Sequence, residues 1–252
     1  MLSIIGIGLN DEKDITLKGL ELIKSSDFVY LESYTSILQC NISALEKLYN
    51  KKIILADRNL VEQKAEETIL KNAKTKNVSF LVIGDSLSAT THVDIMKRAK
   101  DLGIKINIVH NASILTAVAE TGLQLYKFGK TTSIPFPEKN FPPETAYDVI
   151  KDNLSLGLHT LVLLDLRPSE NRFMTVNQAI DILVGIQEKR KEKIITEKTK
   201  LIGCARLGSE DKIIKYGTAK ELKEFDFGKP PHCLIIPGKM HFAEEEFVGQ
   251  FK

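Results

Sequence analysis

The sequence predicts an α/β protein of two domains, with a mostly parallel N-terminal sheet and a mixed C-terminal sheet. Three observations carry this expectation. Short apolar runs alternate with helix-like segments through the first 110 residues, the pattern of βαβ units. Beyond about Gly129 the alternation gives way to strand-like runs joined by a short turn, as in a hairpin. A length of 252 residues also suits one large or two small domains. The domains are therefore expected over 1–129 and 130–252.

The elements follow in order. Leu2–Leu9 is an apolar run ending in glycines, the mark of a buried strand. Leu17, Leu20 and Ile23 recur at helical spacing behind Asp14-Ile15-Thr16, a start signal. Phe28–Glu32 reads as the second strand, and Ser43 is expected to cap a short helix carrying Ala44, Leu45 and Leu48. Ile53–Ala56 is the third strand, and Val61, Ala65, Ile69 and Ala73 mark one face of the following helix. Ser79–Gly84 and Ile106–His110 complete the parallel set, with a helix over Val93–Leu102 between them.

A helix over Ile114–Gly122 leads to a polar alternating strand at 129–134. Residues 135–143 then hold four of the eight prolines, which suit neither a helix interior nor a ladder, so this stretch reads as a loop or lid. A helix from about Thr145, a strand over His159–Leu166 and a long helix follow. That last helix places Val176, Ala179, Ile180, Leu183 and Ile186 on one face. The runs 201–208 and 212–218 flank the turn Ser209–Asp211, and Cys233–Gly238 supplies the final strand.

Composition narrows the function. A 43% hydrophobic and 27% charged chain has the apolar mass for a real core. The 35 basic and 33 acidic side chains leave a net +2, which offers no bulk electrostatic footprint for nucleic acid. No apolar run approaches the ~18 residues of a membrane span, and the N-terminus lacks the basic leader of a secretory signal. Three scattered cysteines form no disulfide framework, so a reducing, cytoplasmic setting is expected.

Three strand-to-helix turns could carry chemistry. Gly6-Ile7-Gly8 suggests a dinucleotide fingerprint, with Glu32 as a ribose-binding acid. Its third glycine is absent, however, since position 11 is Asp. Asp11, Glu12 and Asp14 also crowd the helix start that would receive a pyrophosphate. Close strand–helix packing is the plainer role for these glycines. The second turn, Gly84–His92, follows an apolar strand, where open α/β sheets bind ligands. Its Asp85 would face a positively charged ligand, or with Thr90 and Thr91 would merely cap the next helix. The third, Asn111–Ile114, carries Ser113 either as a ligand contact or as a helix cap. His241 and Glu245 stand four apart without a second histidine, so no metal is expected. His232 reads as a packed loop residue or a base, and Lys189–Lys193 as the solvated end of the long helix.

Taken in order, several blocks resemble one family. IGIGLNDEKDITLKGLE, LESYTS, GDSLSATTH, HNASI, GLQLYKFGK, HTLVLLDLR, TVNQA, CARLGS and PPHCLIIPGK are similar to segments of the diphthine synthases. These are methyltransferases acting on elongation factor 2 during diphthamide formation, within a tetrapyrrole-methylase-like superfamily. The resemblance covers essentially the whole chain. It implies two α/β domains with S-adenosylmethionine (SAM) in the cleft between them, and a homodimer. It places cofactor contacts on Leu9, Asp85, Ser88, Ser113, Ile114, Leu164, Leu207 and His232. Ser86 departs from the family pattern, in which many members carry Pro after the Gly-Asp pair.

The chemistry agrees with that implication. SAM is cationic and lacks phosphate, so an acidic turn without a basic cradle suits it. A neutral amine attacking its methyl group develops no oxyanion, and alignment can supply much of the acceleration. The sequence alone assigns no catalytic residue. Two other functions are weighed: a precorrin-type tetrapyrrole methylase, against which LESYTS and YKFGK argue, and a non-catalytic binding module, against which the retained turns argue. In this family archaeal members are associated with trimethylation and eukaryotic members with a further methyl ester. ADRNLVEQ and HNASI are closer to the eukaryotic type.

Overall fold

A computed structural model describes residues 1–138 and 143–252. They form two compact units, Met1–Leu115 with Pro168–Glu170, and Thr116–Arg167 with Asn171–Lys252.

The first unit is built on five strands: β1 (Leu2–Gly6), β2 (Phe28–Glu32), β3 (Ile54–Ala56), β4 (Val78–Val82) and β5 (Ile106–Val109). All pair in parallel, in the order β3-β2-β4-β1-β5. Parallel strands need crossovers, supplied here by α1 (Leu17–Ser25), α2 (Ile42–Tyr49), α3 (Arg58–Glu62), α4 (Ile69–Ala73) and α5 (Val93–Asp101). Ile23, Leu45 and Tyr49 from α1 and α2 pack with Ile5, Ile7 and Leu81 on one sheet face. Val61, Ile69, Ala73, Ile95 and Ala99 from α3 to α5 pack with Ile4, Tyr30 and Phe80 on the other. The winding therefore reverses between neighbouring strands β1 and β4, which opens a crevice at their carboxyl ends.

Local signals place the helix starts. Thr16 caps α1 by accepting the Gly19 N–H. Asn41, not Ser43, caps α2: its backbone is extended, its Oδ1 accepts the Ala44 N–H, and the Ser43 hydroxyl donates to that same oxygen. The single helix expected across Val61–Ala73 is two short ones, α3 and α4, although all four periodic residues are buried as their spacing demands.

The second unit contains β6 (Thr132–Ile134), β7 (Thr160–Leu164), β8 (Leu166–Arg167), β9 (Arg172–Phe173), β10 (Lys200–Ala205), β11 (Ile213–Thr218) and β12 (His232–Ile236). Its main sheet runs β11-β10-β12-β7-β6, antiparallel except for the parallel pair β6–β7. Counted with its helices are α6 (Ile114–Ala117), which straddles the division between units, α7 (Glu144–Ser155), α8 (Val176–Arg190), α9 (Ala219–Glu224) and α10 (Phe242–Val248). Residues from α7, α8 and α9 share one core with Val162, Leu164, Leu201 and Leu234 of the sheet. Thr175, Thr218 and His241 each open a helix with a capping box.

The division falls after Leu115, earlier than the boundary expected at Gly129. Hydrogen bonds explain the shift. The Gln124 N–H donates to Glu244 Oε1 at 2.9 Å, and the Gly129 N–H donates to the His159 carbonyl at 2.9 Å. Gly122 lies so close to Phe247 that a Cβ there would sit 2.3 Å from its ring. The segment is fastened to the second unit by its backbone, a signal that apolar periodicity does not carry. The expected helix over Ile114–Gly122 is α6 followed by a 3₁₀ turn, Val118–Thr121. Of the proline-rich stretch 135–143, residues 139–142 lie outside the described residues. Among the described residues no helix is long and apolar enough to cross a membrane.

Candidate functional site

In the first unit the turns after β1, β4 and β5 are fused into one edge. Gly8 and Gly84, both at positive φ, exchange backbone hydrogen bonds of 3.2 and 2.7 Å. Gly6 admits no side chain, because a Cβ would meet Gly84 O at 2.7 Å, Ser86 N at 2.9 Å and Asn111 Cβ at 3.0 Å. Asn111 spans the gap from the third turn, its Nδ2 donating to the carbonyls of Gly6 and Asp14, each at 3.0 Å. The glycines thus serve close approach of backbone to backbone.

Asp85 is the hub of this edge. Its Oδ1 accepts from the Leu87 N–H and the Ser88 hydroxyl, both at 3.0 Å. Its Oδ2 accepts from the Asn111 N–H at 3.0 Å and lies 2.8 Å from His110 Nδ1. Burial alone would raise this carboxyl; the hydrogen bonds from Leu87, Asn111, His110 and Ser88 outweigh it and hold it down to about 2. Asp85 is therefore ionised at neutral pH, with its lone pairs engaged by the protein. It does not cap α5, whose start at Val93 lies seven residues beyond Ser86. Leu9 is fixed by its own N–H, which donates to Asp14 Oδ2 at 3.0 Å. The acids thought to crowd a helix start have other work: Asp14 holds Leu9 and Asn10, and α1 begins only at Leu17. Ser113 is buried and Ile114 half-buried beside Asn111.

Glu32 is not available to a ribose. It is fully buried, and its oxygens accept from the Tyr34 and Thr35 N–H groups and the Thr35 hydroxyl.

The other three expected residues share one edge of the second sheet. The register pairs Ala205 with His232 and Cys233 with Leu163, which brings the end of β10, the start of β12 and the end of β7 together. Leu164, Leu207 and His232 are all buried there. The His232 Nδ1 accepts from the Val176 N–H at 3.4 Å, and Nε2 donates towards the carbonyls of Gly228 and Lys229. Burial lowers its proton affinity. It is a packed neutral imidazole at a strand start. Beside it Arg206, in a left-handed conformation, holds the Phe227, Lys229 and Asp211 carbonyls and the Asp211 carboxylate.

His241 pairs with Glu244 in a cap, not with Glu245. Among the described residues no group of three or more His, Cys, Asp or Glu side chains could hold a metal ion. Sequence reasoning missed the clamp between Asp85 and His110, because the two are 25 residues apart and meet only when β4 and β5 flank β1.

A parallel sheet with a glycine-pinned crevice in one unit and a mixed sheet in the other define a methylase fold, and the chain belongs to the tetrapyrrole (corrin/porphyrin) methylase family, whose model matches residues 1–223. Within that family it groups with the diphthine synthases, methyltransferases of diphthamide biosynthesis. It is 50% identical to the diphthine synthase of Methanococcus maripaludis, with 98% of this chain and 96% of that one covered. It is 48% identical to the diphthine methyl ester synthase of Dictyostelium discoideum, with 100% and 98% covered. A crystal structure of an Entamoeba histolytica chain matches with a TM-score of 0.92 at 45% identity, covering 100% of this chain and 98% of that one. A solved diphthine synthase matches at 0.91 and 37% identity, with 99% and 95% covered. This chain is a methyltransferase.

Proposed function

We propose that the chain uses SAM to methylate the amino group of a 3-amino-3-carboxypropyl-histidine on elongation factor 2, forming diphthine. The observation that carries this reading is the fused edge of three small-residue turns. Residues 6–10, 84–91 and 110–114 contain no Lys or Arg, and Asp85 holds a negative charge at their centre. Such a donor set has no phosphate cradle and favours a cation. At Gly84 a Cβ would make only ordinary van der Waals contacts, with Ala112 O and Leu9 Cδ2 each 3.8 Å away, so the backbone there is not crowded. The residues present therefore fit SAM. We assign it contacts to Leu9, Asp85, Ser88, Ser113 and Ile114 in the first unit, and to Leu164, Leu207 and His232 in the second.

When bound, SAM supplies an electrophilic methyl group on a sulfonium. The turns of the first unit hold their backbone in place before any ligand arrives, so little reorganisation is required. Asp85 favours the cationic ligand through its charge, while its hydrogen bonds keep the turns in register. Relatives carry two names, diphthine synthase and diphthine methyl ester synthase, so the mass of the product decides whether a carboxylate methyl ester accompanies the N-methyl groups.

Two measurements test this reading. Calorimetry in the presence of a chelator should show binding of SAM and of its demethylated product. Radiolabelled SAM with elongation factor 2 from a strain lacking this gene should then label the factor. Absence of SAM binding at millimolar concentration would refute the cofactor. Labelling of a tetrapyrrole precursor in place of the factor would favour the precorrin-type reading, and binding without transfer to either would favour a binding module. We further propose a homodimer; light scattering giving the mass of one chain at micromolar concentration would exclude it.

A further inference from the structure

An amine that is methylated must be neutral when it attacks and must shed a proton for each methyl gained. The chain contains five histidines. His92, His159 and His232 are 2%, 0% and 6% exposed, so a residue on another folded protein has no access to them. His241 is exposed, but it is spent as the cap of α10, in the segment that packs with His159 at the start of β7. That is the edge opposite Leu164.

His110 is different. Its side chain is 70% exposed, yet one ring nitrogen is fastened to a carboxylate that is only 7% exposed. Asp85 is acceptor-only when ionised, so the proton of the neutral imidazole lies on Nδ1 and the lone pair on Nε2. The backbone beside the ring is fixed as well, because the Asn111 N–H donates to the same Asp85 oxygen and its side chain donates to Gly6 and Asp14. The ionisable side chains in the three turns are Asp85 and His110, and the lone pairs of Asp85 are engaged. Among the described residues, the charged group in contact with the His110 ring is Asp85.

We propose that His110 is the general base of the methylation, its Nε2 taking the proton that the acceptor amine sheds. This role rests on the amine-methylating function proposed above. The acceptor ammonium first gives an N–H proton to Nε2, and the resulting imidazolium is compensated by Asp85 until water removes the proton. The freed nitrogen lone pair then forms the new N–C bond while the C–S bond breaks and its electron pair stays on sulfur, leaving a neutral thioether and the positive charge on nitrogen. Where that nitrogen still carries a hydrogen, the same proton transfer precedes the next methylation. A carboxylate acceptor has no proton to lose, so ester formation needs no such base.

The test compares His110→Gln and His110→Ala with the unaltered protein, using elongation factor 2 as acceptor across pH 6 to 9.5. N-methyl transfer near pH 7 should fall at least about 100-fold in both variants, the usual scale for a lost general base. The deficit should shrink as pH rises past the ordinary range of an amine, about 8 to 10, because solvent then deprotonates the acceptor. Added imidazole should restore part of the rate, and SAM affinity should stay within about twofold. A loss of equal size at every pH, a parallel loss of SAM affinity, or no loss would each overturn the role. If the unaltered protein binds SAM but leaves the factor unlabelled, the functional reading itself fails, and that result is read before any variant is made.

Discussion

The backbone N–H of Asn111 donates to the carboxylate of Asp85 across 3.0 Å, tying the turn after β5 to the turn after β4 over the end of β1. The two residues belong to different βα units, and this bond makes their turns one surface.

Acid should loosen that surface in a defined window. The Asp85 carboxyl lies at about 2 in the fold against an ordinary 3.8. Its stabilising contribution is therefore complete above about pH 4 and is lost as pH falls towards 2, and amounts to about 2 kcal/mol. Asp85→Asn should lower the melting temperature at pH 7 and flatten the decline below pH 4. SAM affinity should fall at least about tenfold, read by calorimetry at neutral pH. A variant with unchanged affinity and stability would contradict the hub role.

Gly6→Ala should be more damaging than its size suggests. The added methyl would meet backbone atoms of Gly84 and Ser86, which cannot swing aside as a flexible side chain does. Overpacking of this kind costs about 1–3 kcal/mol. Chemical denaturation should show the loss, and SAM binding should weaken further because the three turns are pushed apart.

Glu244 is the second unit's counterpart to Asp85. It is 1% exposed and accepts from the Gln124 and His241 N–H groups, the Lys127 ammonium and His159 Nε2. Burial opposes its ionisation, and these four hydrogen bonds prevail, holding it at about 2. Glu244→Ala leaves buried donors unmatched and should cost about 3–5 kcal/mol. Its stabilisation, like that of Asp85, is present above the ordinary carboxylate range and disappears as pH drops towards 2. Thermal melts of the variant at pH 7 and pH 3 should therefore differ less than those of the unaltered protein.

Thiol labelling should be slow throughout the native chain. Burial, reinforced by Glu12, pushes the Cys40 thiol up to about 11. Cys204 faces Cys233 across the β10–β12 register, and the neighbouring thiol and burial together raise it well above the ordinary range. Native protein at pH 7.5 should release little colour from a disulfide reagent over minutes, and denatured protein should release three equivalents at once. Rapid labelling of one native thiol would show that its strand pairing or loop opens readily.

Much of the fold was legible because its strongest signals are local. The apolar runs of β1, β4 and β12 and the stripe of α8 lie where their patterns put them, since burial on two faces or one leaves a periodic imprint. The turn at Gly84–Thr91 was visible as small residues after a strand. What stayed hidden was non-local. The assignment of residues 118–129 depends on bonds to His159 and Glu244, and the clamp on His110 depends on strand order. Ser43 against Asn41 was a choice between two good caps, decided by which backbone is extended. The break between α3 and α4 leaves the spacing of apolar residues intact, so periodicity does not register it.

The Gly8–Gly84 exchange has a consequence for how the first sheet finds its alignment. β1 and β4 are buried along their whole length on both faces, so, apart from the paired serines Ser3 and Ser79, sliding one past the other would exchange one apolar contact for another. Hydrophobicity is nearly blind to such an error. The paired glycines are not, because a slip of one residue would separate their hydrogen bonds and drive backbone into the space that Gly6 keeps clear. The edge that we assign to the cofactor is thus also the key by which the strands are indexed, and damage there should surface as misassembled sheet as readily as lost chemistry.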